Sequence, residues 1–211
     1  IQAVTDLGVE VLTGAEEAAF SFQGATVGGG APGDGLLADI GGGSTELVSY
    51  QNGTITSGCS LPMGSLSLFA KHVSGLFPTK EERKAIRAHV EGELEKARTA
   101  GLHCSHLTGV GGTIRAAAKL CNDLSGADPD NRVIPVGEIK ALYKDLKKGD
   151  QDTLRQILRS VPDRVHTILP GLAILTAVLS AYEVETVSVS TCGVREGYLL
   201  NRVMGVKESH E

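Results

Sequence analysis

Asp39 closes an apolar run, Gly41, Gly42 and Gly43 follow, and Ser44, Thr45 and Glu46 come next before a second apolar-rich run resumes. The whole stretch, Leu36 to Tyr50, reads LLADIGGGSTELVSY. Three successive glycines cost backbone entropy, and a turn stripped of side chains lets another group approach its backbone closely. Exposed amide N–H groups suit phosphate, and neighbouring carboxylates suit the hard cation that accompanies it. A ligand-free glycine-rich hairpin is the competing reading, but simple hairpins prefer Asn-Gly or Asp-Gly.

A second glycine turn, Gly111-Gly112-Thr113, stands between a short apolar run and a helical pattern. A helix starting there presents free N–H groups and its positive dipole end to any nearby anion. Alone, Gly-Gly before a helix signals tight packing as readily as phosphate; beside ADIGGGSTEL it gains weight. Basic residues recur at Lys80, Arg83, Lys84 and Arg87 and at Arg155, Arg159 and Arg164. Such rows suit a channel for a long polyanion, although solvated helix faces look the same. His72, His89, His103, His106 and His166 show no metal-ligand spacing, which argues against a histidine metal site.

These groups need a frame. Residues 8–12 read as a short strand, and Thr13-Gly14-Ala15-Glu16 has the form of a capping box opening a helix to about residue 23. Residues 25–35 are loop by composition. An antiparallel meander follows at 36–40, 45–50 and 54–61, its second turn marked by Asn52-Gly53. Helices are predicted at 64–73, 79–99, 114–120, 136–148 and 151–160, and from beyond Asp163 to about Tyr182. Strands at 106–110 and 186–190 each enter a helix through a glycine turn, the last helix being 194–203.

At 211 residues the chain can bury a full core, and with no internal repeat or long linker it reads as a single α/β domain. A net charge of −5 argues against bulk nucleic-acid or anionic-membrane binding, though a local site can still hold an anion. Cys59, Cys104, Cys121 and Cys192 are widely spaced, which fits buried thiols in a reducing cytoplasm better than disulfides or zinc. The longest apolar stretch, Ile168 to Tyr182, is too short for a membrane span and contains Pro170 and Gly171. The chain begins at Ile1 without a signal peptide or an initiating Met, so it is expected to start inside a longer protein.

A meander followed by strands that each enter a helix through a glycine turn resembles the ribonuclease-H-like half of the actin, sugar-kinase and Hsp70 superfamily. More specifically, EVLTGAEEAAFSFQGA, ADIGGGSTELV, LPMGSLSL, GVGGTIRAAAKL, ILPGLAIL and VSTCGVREGYL resemble, in order, the signature blocks of exopolyphosphatases and guanosine pentaphosphate phosphohydrolases, the Ppx/GppA family. The resemblance covers nearly the whole chain. It implies an α/β, mixed-sheet fold and Mg²⁺-dependent hydrolysis of the terminal phosphoanhydride of inorganic polyphosphate or of the 5′-γ-phosphate of pppGpp.

Within that resemblance, Glu17 is the expected general base. Its neighbour Glu16 is engaged as the capping-box partner of Thr13, whereas Glu17 points about a quarter-turn away and is free for chemistry. A surface Glu favoured by the helix dipole is the bland alternative. Asp39 ends a buried strand, where an unpaired carboxylate is costly, and Mg²⁺ is its natural partner. Glu46 is carried over as a second catalytic or metal residue. Gly41, Gly42, Gly43, Ser44 and Thr45 form one phosphate-binding set and Gly111, Gly112 and Thr113 another. Arg195 falls in the family's REG block, where pairing with a neighbouring acid is the alternative to a site role.

The resemblance also has gaps. Family members open with a D-x-G-S-N-S phosphate loop on another lobe, and Thr5-Asp6-Leu7-Gly8 does not match it. The chain therefore reads as the second lobe alone, with the N-terminal lobe absent and little activity expected in isolation. No HD-containing helical extension follows Val203. The full-length form is compatible with a homodimer. A non-catalytic polyphosphate- or nucleotide-binding module and an ATP-dependent phosphotransferase of the same superfamily are the rival readings.

Overall fold

Leu36, Leu37, Ala38 and Ile40 are all buried, so the strand they form is covered on both faces and sits inside a sheet. The computed structural model of the chain describes residues 8–27, 33–97 and 104–205. β1 (Gly35–Ile40), β2 (Thr45–Gln51) and β3 (Thr54–Leu61) make the expected antiparallel meander. The β2–β3 turn has Asn52 at φ 51° and Gly53 at φ 74°, the left-handed pair that an Asn-Gly hairpin favours. β4 (His106–Val110) joins β1 in parallel and β6 (Thr186–Val189) joins β4 in parallel. β5 (Val133–Pro135) pairs antiparallel with β6, giving the order β3-β2-β1-β4-β6-β5. A meander leading into parallel central strands is the ribonuclease-H-like arrangement that the resemblance implies.

Because side chains alternate along a strand, β1 feeds two cores. Leu36, Ala38 and Ile40 enter the larger one. That core is closed by α3 (Lys80–Ala97), α4 (Gly112–Ser125), α5 (Val136–Leu146) and α7 (Ile168–Ala181). Leu37 enters the smaller core with Phe22 and Tyr50, whose rings lie 5.1 Å apart, beneath α1 (Gly14–Val27). Full burial of a side chain such as Phe22 contributes about 1.5–3 kcal/mol. α2 (Ser65–His72) follows the meander, and α6 (Gln151–Ser160) leads by a 3-10 turn at Pro162–Arg164 into α7. α8 (Val194–Tyr198) packs on α1 with almost no space between backbones, since a side chain on Gly24 would strike the Gly193 carbonyl and one on Gly197 the Phe20 carbonyl.

Several boundaries differ from expectation. Residues 8–12 form no strand; Val9 and Val11 are 47% and 86% exposed, so no sheet neighbour rewards extended pairing. α1 runs on to Val27, because Gly24 and Ala25 are buried against α8 rather than in a loop. β5 was unforeseen, being three residues long with a Pro on a sheet edge and therefore too short to show an alternating pattern. α4 continues to Ser125, where Gly126 at φ 67° ends it in the left-handed conformation. The final helix is α-helical only to Tyr198, and Leu199–Val203 is π-helical. His103 and Thr5 to Leu7 lie outside the described residues. Among the described residues no helix is long and apolar enough to cross a membrane.

The four cysteines are free thiols. Cys121 is buried, which pushes its thiol up to about 12, and the other three are half-buried.

Candidate active site at the carboxyl ends of the parallel strands

β1, β4 and β6 run parallel, so the turns that follow them emerge at one edge of the sheet. The amide of Ser190, just after β6, donates to the Gly109 carbonyl of β4 at 2.8 Å and ties two of the exits together. In open α/β sheets the crevice beyond the carboxyl ends of the strands is where ligands bind.

The first turn is organised by its carbonyls. The Gly41 N–H donates to the Ser44 carbonyl at 3.0 Å and closes the loop. The Gly41 carbonyl accepts from the Ser65 amide at 2.9 Å, and the Gly42 carbonyl accepts from the amides of Leu66 and Ser67 at 3.0 and 2.9 Å. The acceptors of the turn thus cap α2, whose N-terminus is spent inside the protein. The amides of Gly42, Gly43 and Ser44 are left without a backbone acceptor among the described residues, and Gly42 and Gly43 are exposed. A methyl on Gly43 would meet nothing within 4 Å, so packing does not require glycine there. Glycine there leaves the backbone open to close approach. Packing does require Gly64, over which the Gly42–Gly43 peptide passes.

The second turn lies beside the first. Gly111, at φ 93°, occupies a conformation that suits glycine, and a Cβ there would stand 2.6 Å from Asp39 Oδ1. α4 starts at once, with the Arg115 amide donating to the Gly111 carbonyl at 3.2 Å. The Thr113 side chain is buried against Gly171 of α7, so a phosphate contact from this residue would come from its N–H. The Arg164 guanidinium lies directly against Gly112 and bonds Asp163 at 3.2 Å through Nε. The third turn brings Gly193 to Asp39 as well, its Cβ position being 4.0 Å from Oδ2.

Asp39 and Glu46 are register partners across β1 and β2, and both project to the α1 side, as Leu37 and Val48 do. They are 7% and 3% exposed. Ser21 Oγ of α1 donates to Asp39 Oδ2 at 2.7 Å, and Ser60 Oγ of β3 donates to Glu46 Oε1 at 2.7 Å. Burial pushes the Asp39 carboxyl above the usual carboxylate range, opposed by the Ser21 hydroxyl and the Arg115 charge. Glu46 is also pushed up, first by burial and then by the negative charges of Asp39 and Glu17, against hydrogen bonds from Ser60 and Ser44. Glu17, half-buried in the first turn of α1, therefore stands within electrostatic reach of the pair.

Glu16 is engaged elsewhere. Its Oε2 accepts from the Thr13 amide at 2.9 Å, its Oε1 accepts from Arg202 at 3.0 Å, and these contacts hold its carboxyl below the usual range. The Thr45 hydroxyl donates to the Met63 carbonyl at 2.6 Å and is fully buried, so it does not reach the edge. Arg195 is exposed, while its neighbour Glu196 caps α8 by accepting from the Gly193 amide at 2.8 Å. Ser21 and Gly193 join the site without having been singled out for it, and Arg164, read in the sequence only as one of a basic row, stands against the second turn. Ser21 had a legible signal, lying one helical turn after Glu17 on the same face.

Among the described residues no group of three or more His, Cys, Asp or Glu is placed to hold a metal by itself. Two buried carboxylates held above their usual range supply oxygen donors of the kind that suit a hydrated divalent cation.

Comparison with known proteins finds relatives over nearly the whole chain. A guanosine-5′-triphosphate,3′-diphosphate pyrophosphatase of Vibrio cholerae is 25% identical over 202 residues, covering 95% of this chain and 40% of the relative. The chain spans roughly two-fifths to three-fifths of the length of the curated relatives it matches. The structure of a PPX-GPPA enzyme from Aquifex aeolicus superposes with a TM-score of 0.78 at 29% identity, covering 95% of this chain and 67% of that one. An exopolyphosphatase from Cytophaga hutchinsonii shares the fold with a TM-score of 0.80 at 24% identity, covering 98% of this chain and 69% of that one. The model of the Ppx/GppA phosphatase family matches residues 1–204, and the chain belongs to that family.

Proposed function

We propose that this chain is the second lobe of a two-lobe phosphatase that hydrolyses the terminal phosphoanhydride of inorganic polyphosphate or of pppGpp. The observation that carries the reading is the meeting of Asp39, Glu46 and two amide-bearing glycine turns at one strand edge. The free amides of Gly42, Gly43 and Ser44 and the first amides of α4 would hold non-bridging oxygens of the terminal phosphoryl group. Glu17 would take the proton of the attacking water as its oxygen bonds to phosphorus, while the shortened chain leaves with the electrons of the broken P–O bond. Asp39 and Glu46 would hold Mg²⁺ through its waters, and the ion when bound would offset charge on the phosphate oxygens. Ser21 and Ser60 fix the two carboxylates from outside, so that neither has to reorient when substrate arrives.

Gly42 and Gly43 are exposed at this edge, and the greater length of the relatives supports a facing wall contributed by residues outside this chain. The decisive measurement is phosphate release from polyphosphate and from pppGpp by the full-length protein, with Glu17→Gln alongside. Loss of a general base should slow release by about a hundredfold or more. A variant as fast as wild type would remove Glu17 from the mechanism. Release by the full-length protein but not by this chain alone is the outcome expected of a lobe.

A further inference from the structure

Away from the strand edge, α3, α5 and α7 enclose a groove of about 800 Å³. Lys80, Arg83, Lys84 and Arg87 of α3 line it at i, i+3, i+4 and i+7, one helix face about 10 Å long. Lys140 of α5 and Lys147, the residue that follows α5, stand across from them, two turns apart. The floor is α7, whose Ala173, Ala177 and Ala181 are too short to fill the space.

A solvated face laced with ion pairs would match each cation to an acid four residues away. This groove does not. Arg87 bonds Glu91 at 2.7 Å, but Lys80, Lys84 and Lys140 have no ion-pair partner among the described residues. Glu82, next to Arg83 in sequence, is turned back to the Thr79 and Ser74 amides at 2.7 and 2.9 Å, and Glu81 does not line the groove. Lys147 Nζ lies 4.6 Å over the Tyr143 ring, and Arg83 donates to the Pro78 carbonyl. Six cations therefore surround one cavity that only Glu91 and Glu95 line as acids, in a chain whose net charge is −5. Like charges gathered this way repel, and a polyanion lying between the two rows relieves the repulsion.

We infer that this groove is a second site for a linear phosphate chain, holding a stretch of it away from the end being hydrolysed. The inference rests on the polyphosphate reading of the strand edge. α7 joins the two places, since Gly171 in its first turn touches Thr113 of the second glycine turn and its later residues floor the groove. A chain of repeating charges with no bases or side chains to accommodate fits two rows of cations over a small-residue floor.

The test is equilibrium binding of long-chain polyphosphate and of tripolyphosphate to the full-length protein carrying Glu17→Gln, which keeps the ligand intact. Lys84→Glu with Lys140→Glu should weaken long-chain binding about tenfold or more and flatten its salt dependence, leaving tripolyphosphate affinity unchanged. Lys84→Ala with Lys140→Ala, a milder pair checked by thermal melting, should move in the same direction. Long-chain binding unaffected by either pair, or equal loss for both ligands, would overturn the site. A single-stranded oligonucleotide that competes as well as polyphosphate would overturn the choice of ligand. With Glu17 restored, long-chain binding through the groove without phosphate release would sink hydrolysis and spare the groove, whereas hydrolysis of long chains indifferent to the reversals would do the opposite.

Discussion

Asp39 and Glu46 face each other directly across the β1–β2 pair, both buried and both turned toward α1. Like charges opposite one another in a ladder are destabilising, and among the described residues neither has a basic partner within hydrogen-bond distance; each is held by a serine hydroxyl. The arrangement stores a repulsion that a divalent cation can remove.

Asp39→Asn should therefore raise thermal stability when Mg²⁺ is chelated, by up to about 1 kcal/mol, the size of a like-charge cross-strand pair. Both carboxyls are held above their usual range in the folded protein. Between the unfolded and folded values the native state binds more protons, so stability falls as pH rises through that window and levels off above it. Mg²⁺ should flatten this slope in the wild type but much less in the variant. Melting curves across pH with and without chelator measure it; a slope that Asp39→Asn leaves unchanged would count against the pair as its source.

Glu16 and Glu17 should separate into structure and chemistry. Glu16→Gln weakens the cap on α1 and the contact with Arg202, so Tm falls while kcat of the full-length protein stays near wild type. Glu17→Gln should do the reverse, lowering kcat at an unchanged Tm. A shared loss of Tm in both variants would show that the first turn of α1 acts only as a support.

Gly111 and Gly43 should differ just as sharply. Alanine at Gly111 meets both a φ of 93° and the Asp39 carboxylate, and should destabilise the fold by about 1–3 kcal/mol. Alanine at Gly43 meets nothing within 4 Å, so melting should match wild type. Tripolyphosphate binding to the full-length protein, measured by calorimetry, should nonetheless weaken, because the methyl stands where a phosphate oxygen would approach the amides. Unchanged binding would remove the first turn from the phosphate site.

That contrast marks what the residues alone could disclose. The meander, the parallel strands and both glycine turns were legible because alternation, Asn-Gly and Gly-Gly act locally. Asp39 opposite Glu46 follows from that meander, since a turn of four residues fixes the register. Gly193 was not singled out, because its approach to Asp39 arises only when α8 packs beside the sheet edge, and the helical spacing of Ser21 from Glu17 names its partner only once α1 lies over β1. Thr45 illustrates the converse. Its hydroxyl looked available beside the glycines, but the tertiary fold places the Met63 carbonyl beneath it. The division of the cations of α3 between a bare face and a lined groove likewise waits on α5, more than fifty residues away in sequence.

His72 and His89 offer a last prediction, one of pH dependence away from the carboxylates. Nε2 of His72 and Nδ1 of His89 are 3.0 Å apart, a hydrogen bond that links α2, which rides under the first glycine turn, to α3. Such a bond needs one nitrogen of the pair unprotonated. Burial and the charge of Lys71 hold His72 below its usual value of 6.5. His89 is lowered by burial, Lys71, His72 and Lys96, against Glu93. As pH falls through about 6.5 the unfolded chain takes up protons before the folded one, so stability declines from there toward the depressed folded values. Replacing His89 with Asn should shrink this acid-side loss, read as the difference in melting temperature between pH 7 and pH 5. Should the variant lose as much stability as wild type over that interval, the pair is not what titrates, and the acid sensitivity must lie with other groups.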